Sequence, residues 1–309
     1  MHIERLALTL GLGLALLAAA ASAAAQADAS ARRQADWPNR PVSVVVPSSP
    51  GGGTDAYARL LAQALSEQLR QPFVVENKPG ASGALGAAAV AKAEADGYTL
   101  LVASNSSLGI NPVLYKSLPY DVARDFAPVT RGVIAPMVIV AHPDARLKTP
   151  AELLQHGRRE PGALFYGSAG VGSPMYIGMR MIEAATGSRF NHVPYKGVAP
   201  AYQDLLAGRL QFMLTDIASV RPFVDSGKLS ALALTEKSPL LPGVPTFAEA
   251  GLPSTAAFIS FSVVAPARTP RAIVSRLALE IARAMSQRDN ALKLEQLALI
   301  PVFDTPEQF

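Results

Sequence analysis

The sequence predicts a two-lobed α/β fold, on three observations. Segments rich in β-branched residues alternate with segments whose apolar residues recur at helical spacing, the pattern of a parallel-type sheet with crossover helices. At 309 residues the chain is long enough for two lobes with sizeable cores. A strand, glycine-turn, helix unit occurs once in each half: VSVVVPSSPGGGTDAYARLLAQAL at 42–65, and a strand at 164–167 running into SAGVGSPMYIGMRMIEAATG at 168–187.

In the first unit, residues 42–46 read as a buried strand closed by Pro47. Gly51, Gly52 and Gly53 can take positive φ without a Cβ clash, which lets successive backbone N–H groups turn inward as a concave nest. Thr54 or Asp55 is placed to cap a helix whose apolar face is Tyr57, Leu60, Leu61, Ala64 and Leu65. A helix N-terminus favours an anion by about 0.3–1 kcal/mol when exposed. A carboxylate or phosphate therefore fits there; the same glycine turn also suits a plain tight connection between strand and helix.

Residues 1–25 read as a secretory signal peptide: His2 and Arg5 precede an apolar run at 6–21, and small residues surround Ala21, Ser22 and Ala23. The run is broken by glycines and is shorter than the roughly 20 residues a membrane span needs. The mature protein is expected outside the cytoplasm. With no cysteine, the chain has no disulfide, thiol nucleophile or cysteine-ligated metal. The net charge of +4 comes from scattered basic residues, and a single tryptophan leaves no basic-aromatic ladder, so nucleic-acid binding is not expected.

Further elements follow in order. Strands are expected at 73–76 and 99–103, the latter ending in Ser104 and Asn105, with a helix at 84–93 between them. The stretch 111–126 has too many prolines and turns for a regular element. Strands at 127–133 and 136–141 carry the chain toward a second sheet. Thr149, Pro150 and Glu152 supply an N-cap, an N1 proline and an N3 acid. After the strand at 164–167, Ala169, Gly170 and Gly172 make the turn, Ser173 caps, and Pro174 takes N1. Met175, Met179 and Met181 read as core filler. A strand at 190–193 ends in Pro194, Tyr195 and Lys196, a helix occupies 200–207, and a strand at 210–215 ends in Asp216. A strand at 229–235, an apolar strand at 258–264 returning to the first lobe, helices at 270–285 and 291–298, and an incipient helical turn at 305–309 complete the reading.

These segments together resemble the tripartite tricarboxylate transporter substrate-binding proteins, the Bug family of Gram-negative bacteria. The likeness rests on WPNRPVSVVVPSSPGGGTDAYAR, PFVVENKPGASGALGAAAVAKAEADGYTLL, NPVLYKSLPYDVARDFAPV, YGSAGVGSP, HVPYKGVAPAYQDLLAGRLQFML, GKLSALALT, LPGVPTFAEAGLP and TPEQF, in that order. It implies a two-lobed periplasmic binding protein, a type II-like clamshell in which each lobe is a mixed sheet flanked by helices. Lobe 1 is expected at 37–131, lobe 2 at 132–252, and a return to lobe 1 at 253–309. The resemblance further implies capture of a small carboxylated metabolite, with no cofactor or metal, and its presentation to a membrane permease. The ligand carboxylate would meet backbone N–H groups at two loops, with Gly52, Gly53, Thr54 and Asp55 in the first and Ala169, Gly170, Gly172 and Ser173 in the second. Ser104, Asn105, Tyr195, Lys196 and Asp216 would add walls, although Asp216 reads equally as a helix cap and Lys196 as a solvated loop charge.

The chain departs from the family pattern at Ser48 and Ser260, where aromatic residues are usual, and at Tyr176, where a histidine is usual. From the two serines a wide, polar cleft for a bulky or hydroxylated carboxylate is expected, with Ser48, Tyr176 and Ser260 against the ligand. No terminal helix follows Phe309, from which an exposed patch at Leu294, Leu297 and Leu299 is expected. Two other functions are open: a sensor subunit that feeds a receptor kinase, which the sequence does not separate from delivery to a permease, and, with less support, a secreted hydrolase in which His192 pairs with a serine. A monomer is expected.

Overall fold

In the computed structural model, which describes residues 36–252 and 258–309, two mixed β-sheets carry helices on their faces. Residues 40–309 form one compact unit. The expected signal peptide, and the stretch 253–257 just before the last apolar strand, lie outside the described residues. No helix among the described residues is long and apolar enough to cross a membrane.

The first sheet has six strands in the order β11-β4-β10-β3-β1-β2. They are β1 (Val42–Val46), β2 (Phe73–Asn77), β3 (Thr99–Ser104), β4 (Phe126–Ala135), β10 (Ile259–Pro266) and β11 (Ile300–Pro301). The three strands β2, β1 and β3 run parallel, as β-strands joined by crossover helices do, while β10 lies antiparallel between β3 and β4. Every residue of β10 is buried.

The second sheet has the order β7-β6-β8-β5-β9. Its strands are β5 (Met137–Ala141), β6 (Phe165–Ser168), β7 (Asn191–Pro194), β8 (Phe212–Asp216) and β9 (Ser230–Leu234). The chain leaves the first sheet at the end of β4, enters the second at β5 after Pro136 alone, and returns through β10. Both sheets are mixed because the strands that make these transfers run against their parallel neighbours.

Helices are α1 (Gly53–Leu69), α2 (Ala84–Ala91), α3 (Asn111–Leu114), α4 (Val122–Asp125), α5 (Pro150–Arg159), α6 (Pro174–Thr186), α7 (Val198–Leu206), α8 (Ile217–Asp225), α9 (Arg271–Met285) and α10 (Arg288–Gln296). The start of α5 is the capping box its sequence spells: Thr149 accepts from the Glu152 N–H, and the Glu152 carboxylate accepts from the Thr149 N–H. In the second sheet, Val138, Val140 and Met213 pack under Tyr202 and Leu205 of α7 and Ile217 and Val220 of α8. In the first, Val45, Leu101 and Ala103 pack against Ala84, Ala87 and Val90 of α2.

Three expectations change. The proline-rich stretch 111–126 contains two one-turn helices, α3 and α4, and is preceded by a single π-helical turn at Ser106–Ile110. The expected patch near the C-terminus is covered: Leu294 and Leu299 are buried and Leu297 is half-buried, with α10 packed against α1 and α9. Met175 and Met179 are core residues, but Met181 is 41% exposed.

Candidate functional site

A cavity of about 300 Å³ lies where loops from the carboxyl ends of the two sheets meet. Five helices begin at its wall: α1 at Gly53 and Thr54, α2 directly after Gly83, α6 at Pro174 and Met175, α7 at Val198, and α8 directly after Asp216. The first turn of each helix leaves N–H groups without intrahelical acceptors, and the macrodipole places positive charge there. Two of these ends are filled by their own caps. Ser173 accepts from the Tyr176 N–H, and Asp216 accepts from the Ser219 N–H at 2.9 Å. The other three, α1, α2 and α7, start after Gly52, Gly83 and Gly197 with no side-chain cap. The starts of α1 and α7 face each other closely: a Cβ on Gly52 would lie 3.0 Å from a methyl of Val198. The uncapped amide-rich ends thus come from opposite sheets and converge on one space.

The first glycine loop differs from the expected run of three positive-φ residues. Only Gly51 has positive φ, at 88°; Gly52 is extended and Gly53 already helical. The Gly51 N–H donates to the Asp55 carboxylate at 3.1 Å, so this amide braces the loop. The start of the helix itself, after Gly52, has no side-chain cap. In the second loop Gly170 and Gly172 do take positive φ, at 112° and 87°.

Ser48, Gly52, Gly53, Thr54 and Ser104 line the cavity from the first sheet, and Ala169, Gly170, Ser173, Tyr195, Lys196 and Asp216 from the second. Asp55, Asn105, Gly172 and Tyr176 do not. Asp55 is buried and accepts from Gly51, Asn77 and Arg59. Burial alone would raise its pKa, but the hydrogen bonds from Arg59, Asn77 and Gly51 together outweigh that and hold it below the ordinary carboxylate value. Asn105 spends its amide N–H on the carbonyl of Phe258 at 3.0 Å. A Cβ on Gly172 would meet Leu114 at 2.8 Å and Asn111 at 3.1 Å, so this glycine permits close packing against α3. Tyr176 lays its ring 4.6 Å from that of His192.

Two of the lining side chains turn their polar groups elsewhere. Tyr195 offers its ring to the cavity while its hydroxyl donates to Asp204 at 2.6 Å; burial, then this carboxylate, pushes its pKa up to about 12. Asp216 is both cap and wall, and its second oxygen accepts from Tyr202 at 3.3 Å. Lys196 is exposed, and among the described residues it is the only basic side chain lining the cavity.

The wide cleft inferred from Ser48 and Ser260 is not what the strand provides. Ser260 is buried and away from the cavity, because successive residues of β10 point to opposite faces. Phe261 takes the wall position instead, stacked on Tyr57 at 5.9 Å. The volume falls at the lower end of the roughly 300–1,000 Å³ usual for small-molecule sites.

His192 does pair with a serine: its Nε2 lies 2.6 Å from the Ser168 hydroxyl. That hydroxyl is fully buried and also bonds the N–H and carbonyl of Gly170 at 3.0 and 3.1 Å. The pair is a post supporting the second loop, closed to substrate. Burial, then the charge of Arg180, lowers the His192 pKa.

Sequence reading left Gly80, Ala81, Ser82, Gly83 and Ser107 out of the site, yet all line the cavity. The turn-rich run NKPGASG was the signal for the first four of these. Ala81 and Ser82 adopt left-handed φ values of 48° and 51°, uncommon for residues with a Cβ. The Ser48 and Ser107 hydroxyls are buried without a protein partner.

A clamshell of two mixed α/β sheets closing on such a cavity is the architecture of the periplasmic solute-binding proteins. The chain belongs to the tripartite tricarboxylate transporter family of receptors, whose family model matches residues 57–306. It is 36% identical over 275 residues to protein BugT of Bordetella pertussis, covering 88% of this chain and 84% of BugT. Among solved structures, R. palustris Rpa4515 with adipate aligns with a TM-score of 0.84 at 35% identity, covering 88% of this chain and 91% of that one. MatC from Rhodopseudomonas palustris with bound malate aligns at 0.80 and 33%, covering 85% and 90%.

Proposed function

We propose that this receptor captures a small organic carboxylate, of the size of malate or adipate, and delivers it to the permease of a tripartite transporter without chemically altering it. The observation that carries this reading is the convergence of the uncapped N-termini of α1 and α7 on one cavity of about 300 Å³. Fixed amides supply the positive potential there, and Lys196 adds charge at the wall. Carboxylate binding in two relatives supports the same chemistry. Among the described residues the serine-histidine pair, Ser168 and His192, has its hydroxyl fully buried under the second loop, which favours binding over catalysis. Export through a signal peptide at 1–25 and action in the periplasm as a monomer complete the proposal, with the expected lobes at 37–131, 132–252 and 253–309 and the first boundary moved to Pro136, since β4 keeps residues 132–135 in the first sheet.

A panel of organic acids, each paired with its neutral amide, tests it by thermal denaturation. At a hundredfold excess over Kd a true ligand stabilises the protein by about 2.7 kcal/mol. At about 2–4 °C per kcal/mol the melting temperature should rise by about 5–10 °C. The matching amides should leave it unchanged. Equal shifts from acids and amides, or consumption of the acid during incubation, would overturn the reading.

A further inference from the structure

Hydrogen bonds cross the cleft between the two sets of loops, and each is made wholly within the protein. The Ser49 hydroxyl, in the loop after β1, donates to the carbonyl of Lys196 after β7 at 3.0 Å. The Ser82 hydroxyl donates to the carbonyl of Val171 at 2.6 Å, and the Tyr115 hydroxyl donates to the same carbonyl at 3.3 Å. Val171 sits in the second glycine loop, between Gly170 and Gly172. All three donors are side chains from the first-sheet loops and both acceptors are backbone carbonyls of the second, so one set reaches across and grips the other.

The grip on Val171 is braced from behind. Ser82 stands in left-handed backbone at φ 51° and ψ 37°, a conformation that persists only where its surroundings hold it. Its carbonyl accepts from the side chain of Asn111, which is fully buried at the start of α3, and Tyr115 directly follows that helix. The left-handed turn at 81–82 and the short helix therefore act on one acceptor as a unit. At the other end of the cleft, the positive φ of Gly197 leaves room for Ser49: a Cβ on Gly197 would lie 2.8 Å from the Ser49 hydroxyl.

We infer that Ser49, Ser82 and Tyr115 form a two-ended latch that fixes the closed clamshell and so sets how long the ligand stays. They are positioning residues. Ser49 and Tyr115 lie outside the cavity wall, so their effect on affinity runs through the closed population and not through ligand contact. A ligand held only in the closed form has an apparent Kd inversely proportional to the fraction closed. Losing one neutral hydrogen bond of about 1 kcal/mol shifts that equilibrium about fivefold.

The inference rests on the ligand-binding reading for its kinetic consequence alone, so the test has two arms. In the first, spin labels on exposed positions of the two sheets report interlobe distances in ligand-free protein for wild type, Ser49→Ala, Tyr115→Phe and the double variant. The expected result is a shift toward longer distances that is larger in the double variant, with Ser49→Thr restoring the wild-type distribution. In the second arm, stopped-flow dissociation of the acid that most stabilises the wild type should accelerate about fivefold per single variant, with the association rate little changed. Unchanged distances in the double variant overturn the latch whatever the protein binds. Altered distances with an unchanged dissociation rate overturn its role in retention.

Discussion

Gly52→Val is expected to fold normally and to lose ligand affinity by about 100-fold or more, equivalent to about 2.8 kcal/mol. Gly52 has φ −94° and ψ 170°, extended backbone that valine adopts without strain, so the cost does not fall on the fold. It falls on closure. A Cβ there already approaches the Val198 methyl at 3.0 Å, and the added methyl groups of valine have no space between the starts of α1 and α7. Calorimetric titration with the tightest acid measures the loss, and an unchanged far-UV spectrum shows that the fold survived. Wild-type affinity in this variant would mean that the two helix ends do not need to approach each other. Gly170→Val makes a useful contrast. With φ at 112° and the Ser82 hydroxyl 3.1 Å from a Cβ, it burdens backbone and latch together, and should lower stability as well as affinity.

The second large effect concerns the floor of the first loop. Asp55→Ala removes the common acceptor of the Gly51 N–H, the Asn77 amide and Arg59. Two donors are left unsatisfied in a part-buried setting, at a cost of about 2–4 kcal/mol. The Arg59 ion pair adds little, because that guanidinium is half exposed. The melting temperature should fall by about 5–10 °C. The effect also carries a pH signature. Because the folded state holds the Asp55 pKa below its unfolded value of about 3.9, its contribution is fully present above that value and is lost as pH falls through the folded one. The gap in stability between wild type and Asp55→Ala should therefore be constant at neutral pH and shrink as pH drops below about 4. A gap that persists undiminished in strong acid would show that the carboxylate charge is not what braces the loop.

The strands and most helix ends were legible because their signals are local. The β-branched run of β1, the cap and N1 proline at Ser173 and Pro174, and the Thr149–Glu152 box each encode their structure within a few residues. The two strand-to-helix loops that converge on the cavity were legible for the same reason. What could not be read was direction. Nothing in the glycine triplet says that Gly51 alone takes positive φ, or that its amide turns to Asp55, since both depend on Asn77 and Arg59 folding against the same carboxylate. Tyr195 was legible as a wall, but not as a wall whose hydroxyl faces Asp204. The exchange of Ser260 for Phe261 is a matter of strand register, where a one-residue step reverses the face. The grip of Ser82 and Tyr115 on Val171 joins residues 89 and 56 positions apart, and no local pattern announces such a pair.

The central claim is that backbone amides at the start of α1 hold the carboxylate. A crystal structure of the protein with the acid that most raises its melting temperature tests this most directly. The account predicts a carboxylate oxygen within about 3.2 Å of the Gly53 or Thr54 nitrogen, with the rest of the ligand between Ser48, Ser107 and the second loop. A ligand whose carboxylate lies elsewhere in the cavity with these amides unoccupied, or one bound outside the cavity, would contradict it.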